Sequence, residues 1–143
     1  MRNIDEIIIH CSATRENQDI SAETIRKWHT DPKPQGRGWR DIGYHYVVRL
    51  DGTVELGRPI NQQGAHVKGR NKSTIGICYI GGVEQDGKTA KDTLTYEQEQ
   101  SISDLILALQ VVINKPLKVS GHNEYAAKAC PSFNVQEKFS KIL

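Results

Sequence analysis

Glu6-Ile7-Ile8-Ile9-His10 is the segment that most restricts the fold. Consecutive β-branched residues favour a strand, and an unbroken apolar run lacks the alternation of a strand with one wet face. Such a strand must be covered on both sides, as in the middle of a sheet flanked by helices. It closes on a polar residue, His10, where a buried strand would emerge. The chain of 143 residues is long enough for one domain built around it.

The remaining segments supply partners for that strand. Ser21 is placed to cap a helix through Ile25, Trp28 and His29, which ends before Asp31-Pro32-Lys33-Pro34. Pro32 to Gly38 is a loop. Tyr44 to Arg49 reads as a strand, and Asp51-Gly52 as a hairpin turn into Thr53-Val54-Glu55-Leu56. Thr74 to Ile80 is a third strand candidate, stopped by Gly81-Gly82. Thr95 and Gln98 have capping-box spacing. Behind them Ile102, Leu105, Ile106, Leu109, Val112 and Ile113 recur at helical intervals, and Pro116 marks the end of that helix. A short segment leads to His122, and Asn134 with Glu137 caps a final short helix. Strands interleaved with helices predict a single α/β domain over residues 1–143, with a central mixed β-sheet flanked by helices.

Composition excludes several classes of function. Lys and Arg number 19 against 17 Asp and Glu, and a net charge of +2 is too mild to imply a nucleic-acid partner. Apolar runs such as Ile7-Ile8-Ile9 fall far short of the ~20 residues of a membrane span. The opening Met1-Arg2-Asn3-Ile4-Asp5-Glu6 has no apolar signal-peptide core, so a cytoplasmic product is expected. Cys11, Cys78 and Cys130 are an odd number of thiols, which favours metal binding or burial over a disulfide framework. Cys11 points to the strand face opposite His10 and reads as buried, and Cys78 reads as core.

Chemistry concentrates in four pieces: His10 to Thr14, Asp41 to Tyr46, Gly64 to Gly69, and Gly121 through Pro131. A histidine closing a strand serves either as a hydrogen-bonded structural residue or as a ligand, and the residue alone allows both. His122 and Cys130 are eight residues apart, which is no zinc-finger spacing, and the chain has no CxxC pair. Taken together, two histidines and a thiolate make three borderline ligands, which suit Zn²⁺ and leave a fourth position open, the catalytic pattern. A cysteine peptidase using Cys130 or Cys11 with His122 is a rival that needs no metal. His122-Asn123-Glu124 superficially matches the zinc deaminases, but no second cysteine follows two residues beyond Cys130.

In His10-Cys11-Ser12-Ala13-Thr14, Gly43-Tyr44-His45, Asp51-Gly52-Thr53-Val54-Glu55, Ser73 to Cys78, and Lys128-Ala129-Cys130-Pro131-Ser132-Phe133, the chain resembles the type-2 N-acetylmuramoyl-L-alanine amidases. That class contains the small T-odd phage amidases, historically called lysozymes, and the peptidoglycan recognition proteins. The resemblance runs from about Ile7 to Phe133. It implies an amidase/PGRP-like fold, one Zn²⁺ per chain held by His10, His122 and Cys130, and an active site containing Tyr44 and Lys128. A cationic Lys128 suits an oxyanion, and Tyr44 suits either orienting the water or donating a hydrogen bond. Glu124 reads as a partner to this machinery or as a solvated carboxylate. Trp39, His66, Lys68 and Asn71 fall in segments resembling the substrate groove, with core or loop roles as their alternatives.

The resemblance further implies peptidoglycan or muropeptides as partner, a monomer, no separate wall-binding domain, and release to the wall through holin-type holes or lysis. A non-catalytic peptidoglycan sensor is a rival, against which the presence of Cys130 argues. A cytosolic muropeptide-recycling amidase is another, whose relatives typically carry an aspartate as third ligand.

Overall fold

In the computed structural model, which describes residues 1–143, the Ile7-Ile8-Ile9 run forms strand β1 (Glu6–Cys11), every residue of it buried. Parallel neighbours pair with it on both sides: β5 (Thr74–Tyr79) and β7 (Lys118–Gly121). Beyond β5 lies β3 (Tyr46–Val48), also parallel, and then β4 (Val54–Leu56), antiparallel through the Asp51-Gly52 hairpin. The order is β4-β3-β5-β1-β7, a mixed sheet. A two-stranded parallel pair, β2 (Thr14–Arg15) with β6 (Gly82–Val83), extends past the ends of β1 and β5.

Period-two alternation sends the residues of β1 to two different layers. Ile7, Ile9 and Cys11 pack with Ile75, Ile77 and Tyr79 of β5 beneath α2 (Tyr96–Ile113) and α3 (Val135–Lys138), which contribute Ile102, Ile106, Leu109 and Val135. The opposite layer holds Val47 and Cys78 against Ala22 and Ile25 of α1 (Ala22–Thr30). Ile7, Ile8 and Ile9 have no exposed surface, a burial of about 2 kcal/mol of transfer free energy each. Ser21 caps α1, Asn134 caps α3, and Thr95 and Gln98 form a reciprocal capping box on α2. The fully buried Gln98 amide also donates to the carbonyls of Val48 and Ile80, pinning that helix to the ends of β3 and β5.

Three features depart from the sequence reading. Lys118-Val119-Ser120-Gly121 is a strand despite holding a single β-branched residue, because pairing with β1 in register Ile9↔Gly121 supplies its backbone partners. The short pair β2–β6 was not foreseen either. The regular ladder of β3 begins at Tyr46 rather than Tyr44, since the carbonyls of Tyr44 and His45 accept from Arg58 and Gly57.

Buried histidines tie the layers together. His29 Nδ1 accepts from the Gly43 N–H at 2.9 Å, and His45 Nδ1 accepts from the Gly76 N–H at 3.0 Å. Burial is the main force pulling both down to about 4. The unfolded chain therefore takes up protons between about pH 6.5 and 4 that the folded chain refuses. Their contribution to stability is complete above that window and is lost as the pH falls through it. For metal-free protein, we expect the folding equilibrium constant to drop roughly tenfold per pH unit for each histidine inside the window. Urea titrations at pH 7, 6, 5 and 4.5 check this, and a constant free energy of unfolding across them would show that both rings take up protons as readily in the fold as in the unfolded chain.

Candidate metal centre

The sheet brings two histidines side by side at its carboxyl end. His10 is the penultimate residue of β1, and Ile9 registers with Gly121, so His122, one residue on, falls beside His10. Their ring centroids are 4.7 Å apart. This end of the sheet is also where the crossovers part: the α1 connection runs from β1 toward β3, and the α2 connection from β5 to β7 over the other face. Crevices of α/β sheets open at such places. His122 begins a 3-10 turn, His122–Glu124, whose first N–H groups need acceptors. Glu124 meets that need by accepting from the Gly121 N–H at 2.6 Å, and it also contacts the Gln136 amide. Its carboxylate thus holds the turn that carries His122.

Cys130 arrives from the loop after this turn. Its Sγ accepts from the Cys11 N–H at 3.2 Å and lies 3.8 Å from His10 Nδ1. Gly121 lets the loop close: a Cβ there would stand 3.1 Å from the Pro131 ring and 2.7 Å from the Asn123 side chain. The candidate ligand atoms of His10, His122 and Cys130 all fall within 4.8 Å of one another. A tetrahedral zinc with bonds of about 2.0–2.3 Å separates its ligand atoms by roughly 3.3–3.8 Å, so this set needs little contraction to close on an ion.

Protonation states leave donor atoms free at this point. Burial, and then the neighbouring charges, hold His10 well below its ordinary value, and burial followed by Lys128 lowers His122. Both imidazoles are therefore neutral, with lone pairs to offer. The contact between the Cys11 and Cys130 thiols draws Cys11 down to about 7 and pushes Cys130 up, so the pair holds at most one negative charge near neutral pH. A raised Cys130 is a poor free nucleophile, and the lowered Cys11 is buried away from any substrate, which disfavours the cysteine-peptidase reading, whereas a metal ion ionises a coordinating thiol outright.

Tyr44 lies beside His10, ring centroids 5.1 Å apart and planes tilted at 54°. Burial first, then the nearby thiols, push its phenol well above the ordinary value, so it keeps its proton and can donate. Lys128 is exposed at the rim, near enough to depress both histidines. Trp39 is half-buried, 4.9 Å from the His29 ring and beneath the Arg37 guanidinium at 5.0 Å. A cleft of about 150 Å³ lined by Ser12, Ile25, Trp28, His29, Arg37 and Tyr44 adjoins the cluster.

The other groove candidates divide. Lys68 is exposed on its loop. Asn71 spends its side-chain oxygen on the His66 and Val67 N–H groups, at 2.8 and 2.9 Å, the loop role that was its alternative. His66 points inward, with Nδ1 2.8 Å from His10 Nε2, and burial is the main cause pulling it down to about 3. Sequence reasoning gave no part in the site to Thr74, Gly76, Trp28 or Arg37. Thr74, Gly76 and Cys78 alternate along β5, and that spacing places all three on the face of the sheet that carries His10.

A family model described as N-acetylmuramoyl-L-alanine amidase matches residues 1–133, and the chain belongs to this family. Among its relatives, the endolysin of Escherichia phage T7 is 39% identical over 137 residues, covering 96% of this chain and 86% of the relative. The endolysin of Klebsiella phage KP32 is 38% identical over 136 residues, covering 95% and 85%. The N-acetylmuramoyl-L-alanine amidase LysC from Clostridium intestinale shares the fold with a TM-score of 0.79 at 27% identity, over 98% of this chain and 85% of that one. PGRP-SA of the bumblebee does so with a TM-score of 0.80 at 29% identity, over 100% and 84%.

Proposed function

We propose that this protein is a zinc-dependent hydrolase of the amide bond between N-acetylmuramic acid and L-alanine in bacterial peptidoglycan, serving as a phage or prophage endolysin. The observation that carries the reading is the convergence of two neutral imidazoles and a thiol on one point at the carboxyl end of the sheet. Membership of the amidase family and the phage endolysin relatives support the bond and the setting. In this reading the enzyme is made in the cytoplasm and meets the wall on lysis. No helix is long and apolar enough to cross a membrane.

His10, His122 and Cys130 would hold the zinc. When bound, zinc acidifies a water molecule and polarises a carbonyl oxygen, the two requirements for opening an unactivated amide. The cleft beside Tyr44 receives the sugar–peptide junction with its lactyl carbonyl toward the three ligands. The Lys128 ammonium, at the rim, faces the negative charge that grows on that carbonyl oxygen. Tyr44 remains protonated and donates a hydrogen bond to the same centre or to the attacking water. The water oxygen bonds to the lactyl carbonyl carbon, the C–N bond breaks, and the amine of L-alanine leaves with a proton that originates from the attacking water.

Three outcomes follow from this arrangement. The purified chain should retain about one zinc ion, and His122→Ala or Cys130→Ala should remove both metal and activity. Elemental analysis beside turnover measurements tests this, and full activity after exhaustive chelation would return the cysteine peptidase to consideration. Lys128→Ala should lower turnover by roughly 100-fold or more while zinc stays bound and substrate binding weakens much less. Loss of zinc from that variant would mean that Lys128 supports the ligands instead. Digestion of purified sacculi should release new N-terminal alanine amines on intact stem peptides, as mass spectrometry would read. New reducing sugar ends without those amines would point to a glycosidase, whose chemistry needs paired carboxylates.

A further inference from the structure

We propose that His66 is a positioning residue: through a directional chain of hydrogen bonds it fixes His10 as the tautomer that offers Nδ1 to the metal. The metal's identity rests on the zinc reading above, but the chain of bonds belongs to the protein alone.

The direction of that chain follows from its far end. Thr74 Oγ1 lies 2.9 Å from the Arg70 carbonyl, which can only accept, so the single hydroxyl proton of Thr74 goes there. Toward His66 the same oxygen must then accept, and His66 Nε2, 3.1 Å away, carries the hydrogen. A neutral His66 protonated on Nε2 has a bare Nδ1. That atom stands 2.8 Å from His10 Nε2, so His10 donates from Nε2. The remaining nitrogen of His10, Nδ1, is left with its lone pair 3.8 Å from Cys130 Sγ, inside the ligand cluster. Reversing the chain would take the Thr74 proton away from the Arg70 carbonyl.

His66 is held for this task. Its ring lies flat on Gly76, where a Cβ would come 2.7 Å from the ring. Asn71 clamps the backbone N–H groups of His66 and Val67. The ring meets His10 edge-on, centroids 4.9 Å apart and planes at 83°. The partner of a ligating histidine is commonly a carboxylate, which raises the ligand's basicity. An imidazole fixes the tautomer without adding negative charge. With one thiolate and two neutral histidines the loaded site keeps a net charge of +1, which preserves the pull of the ion on a carbonyl oxygen.

Two-bond ¹⁵N–¹H correlation spectra of the metal-free, ¹⁵N-labelled wild-type chain read each tautomer directly. His10 and His66 are both expected to be protonated on Nε2; a proton on Nδ1 of either ring overturns the proposal. Zinc affinity, measured by competition with a chromophoric chelator, supplies the second readout. His66→Leu should weaken it by about 10- to 100-fold. His66→Asn, whose Oδ1 replaces the acceptor, should restore it to within a few-fold of wild type. Equal losses in two variants that both keep the wild-type circular dichroism would reduce His66 to a packing residue. Should the wild-type chain itself fail to retain zinc, the metal reading falls, and the tautomer spectra still decide the proposal.

Discussion

Strand β1 gives its backbone hydrogen bonds to β5 on one side and β7 on the other, and its side chains to a covered layer on each face. His10, His122 and His66 take their places from that pairing. His10 is fixed because the strand beneath it cannot shift by one residue without turning Ile7 and Ile9 out of the α2 layer. His122 is fixed because β7 ends opposite Ile9. His66 is fixed because Gly76, paired with Ile8, leaves room for its ring. Parallel pairing is what sets all of these at one end of the sheet.

Such a site is expensive to build from polar residues, and the structure offsets the expense locally. His10, His29 and His45 are buried and neutral, and each ring nitrogen with a known role meets a backbone group or another side chain. Buried Glu6 accepts from the Tyr125 hydroxyl, while Arg70 lies over the Tyr125 ring at 3.9 Å, closing the sheet face below the histidines. No buried side-chain nitrogen or oxygen lacks a partner. In such a low-dielectric pocket an unsatisfied group would cost several times what a satisfied one contributes. The consequence is a cluster rigid enough to present lone pairs in a fixed direction.

The scaffold alone does not separate an amidase from a recognition protein, since LysC and PGRP-SA match this chain equally well in shape. Function lives in the groups placed upon a fold. In the proposed reading the decisive group is Cys130, carried by a loop whose Pro131 packs closely on Gly121. Its thiol, held up by Cys11 and then by burial, becomes a useful thiolate only with a cation beside it.

Local sequence determined the elements that depend on short-range physics. The β-branched run of β1, the capping residues Ser21, Thr95, Gln98 and Asn134, the Asp51-Gly52 turn and most of the apolar stripe of α2 were legible, because each follows from residue spacing within a few turns; Val112, counted with that stripe, lies exposed. The trio His10, His122 and Cys130 was legible from motifs in combination and from no spacing between them. Strand β7 was not, since Lys118-Val119-Ser120-Gly121 becomes a strand only when β1 offers its edge. Neither was the part played by His66, read from sequence as a groove residue. Its partners, His10 and Thr74, lie 56 and 8 residues away, and only the parallel register of β1 with β5 places them on the same face. Which nitrogen of His10 is free is decided by hydrogen bonds that cross three elements, and such bonds exist only once the chain has folded.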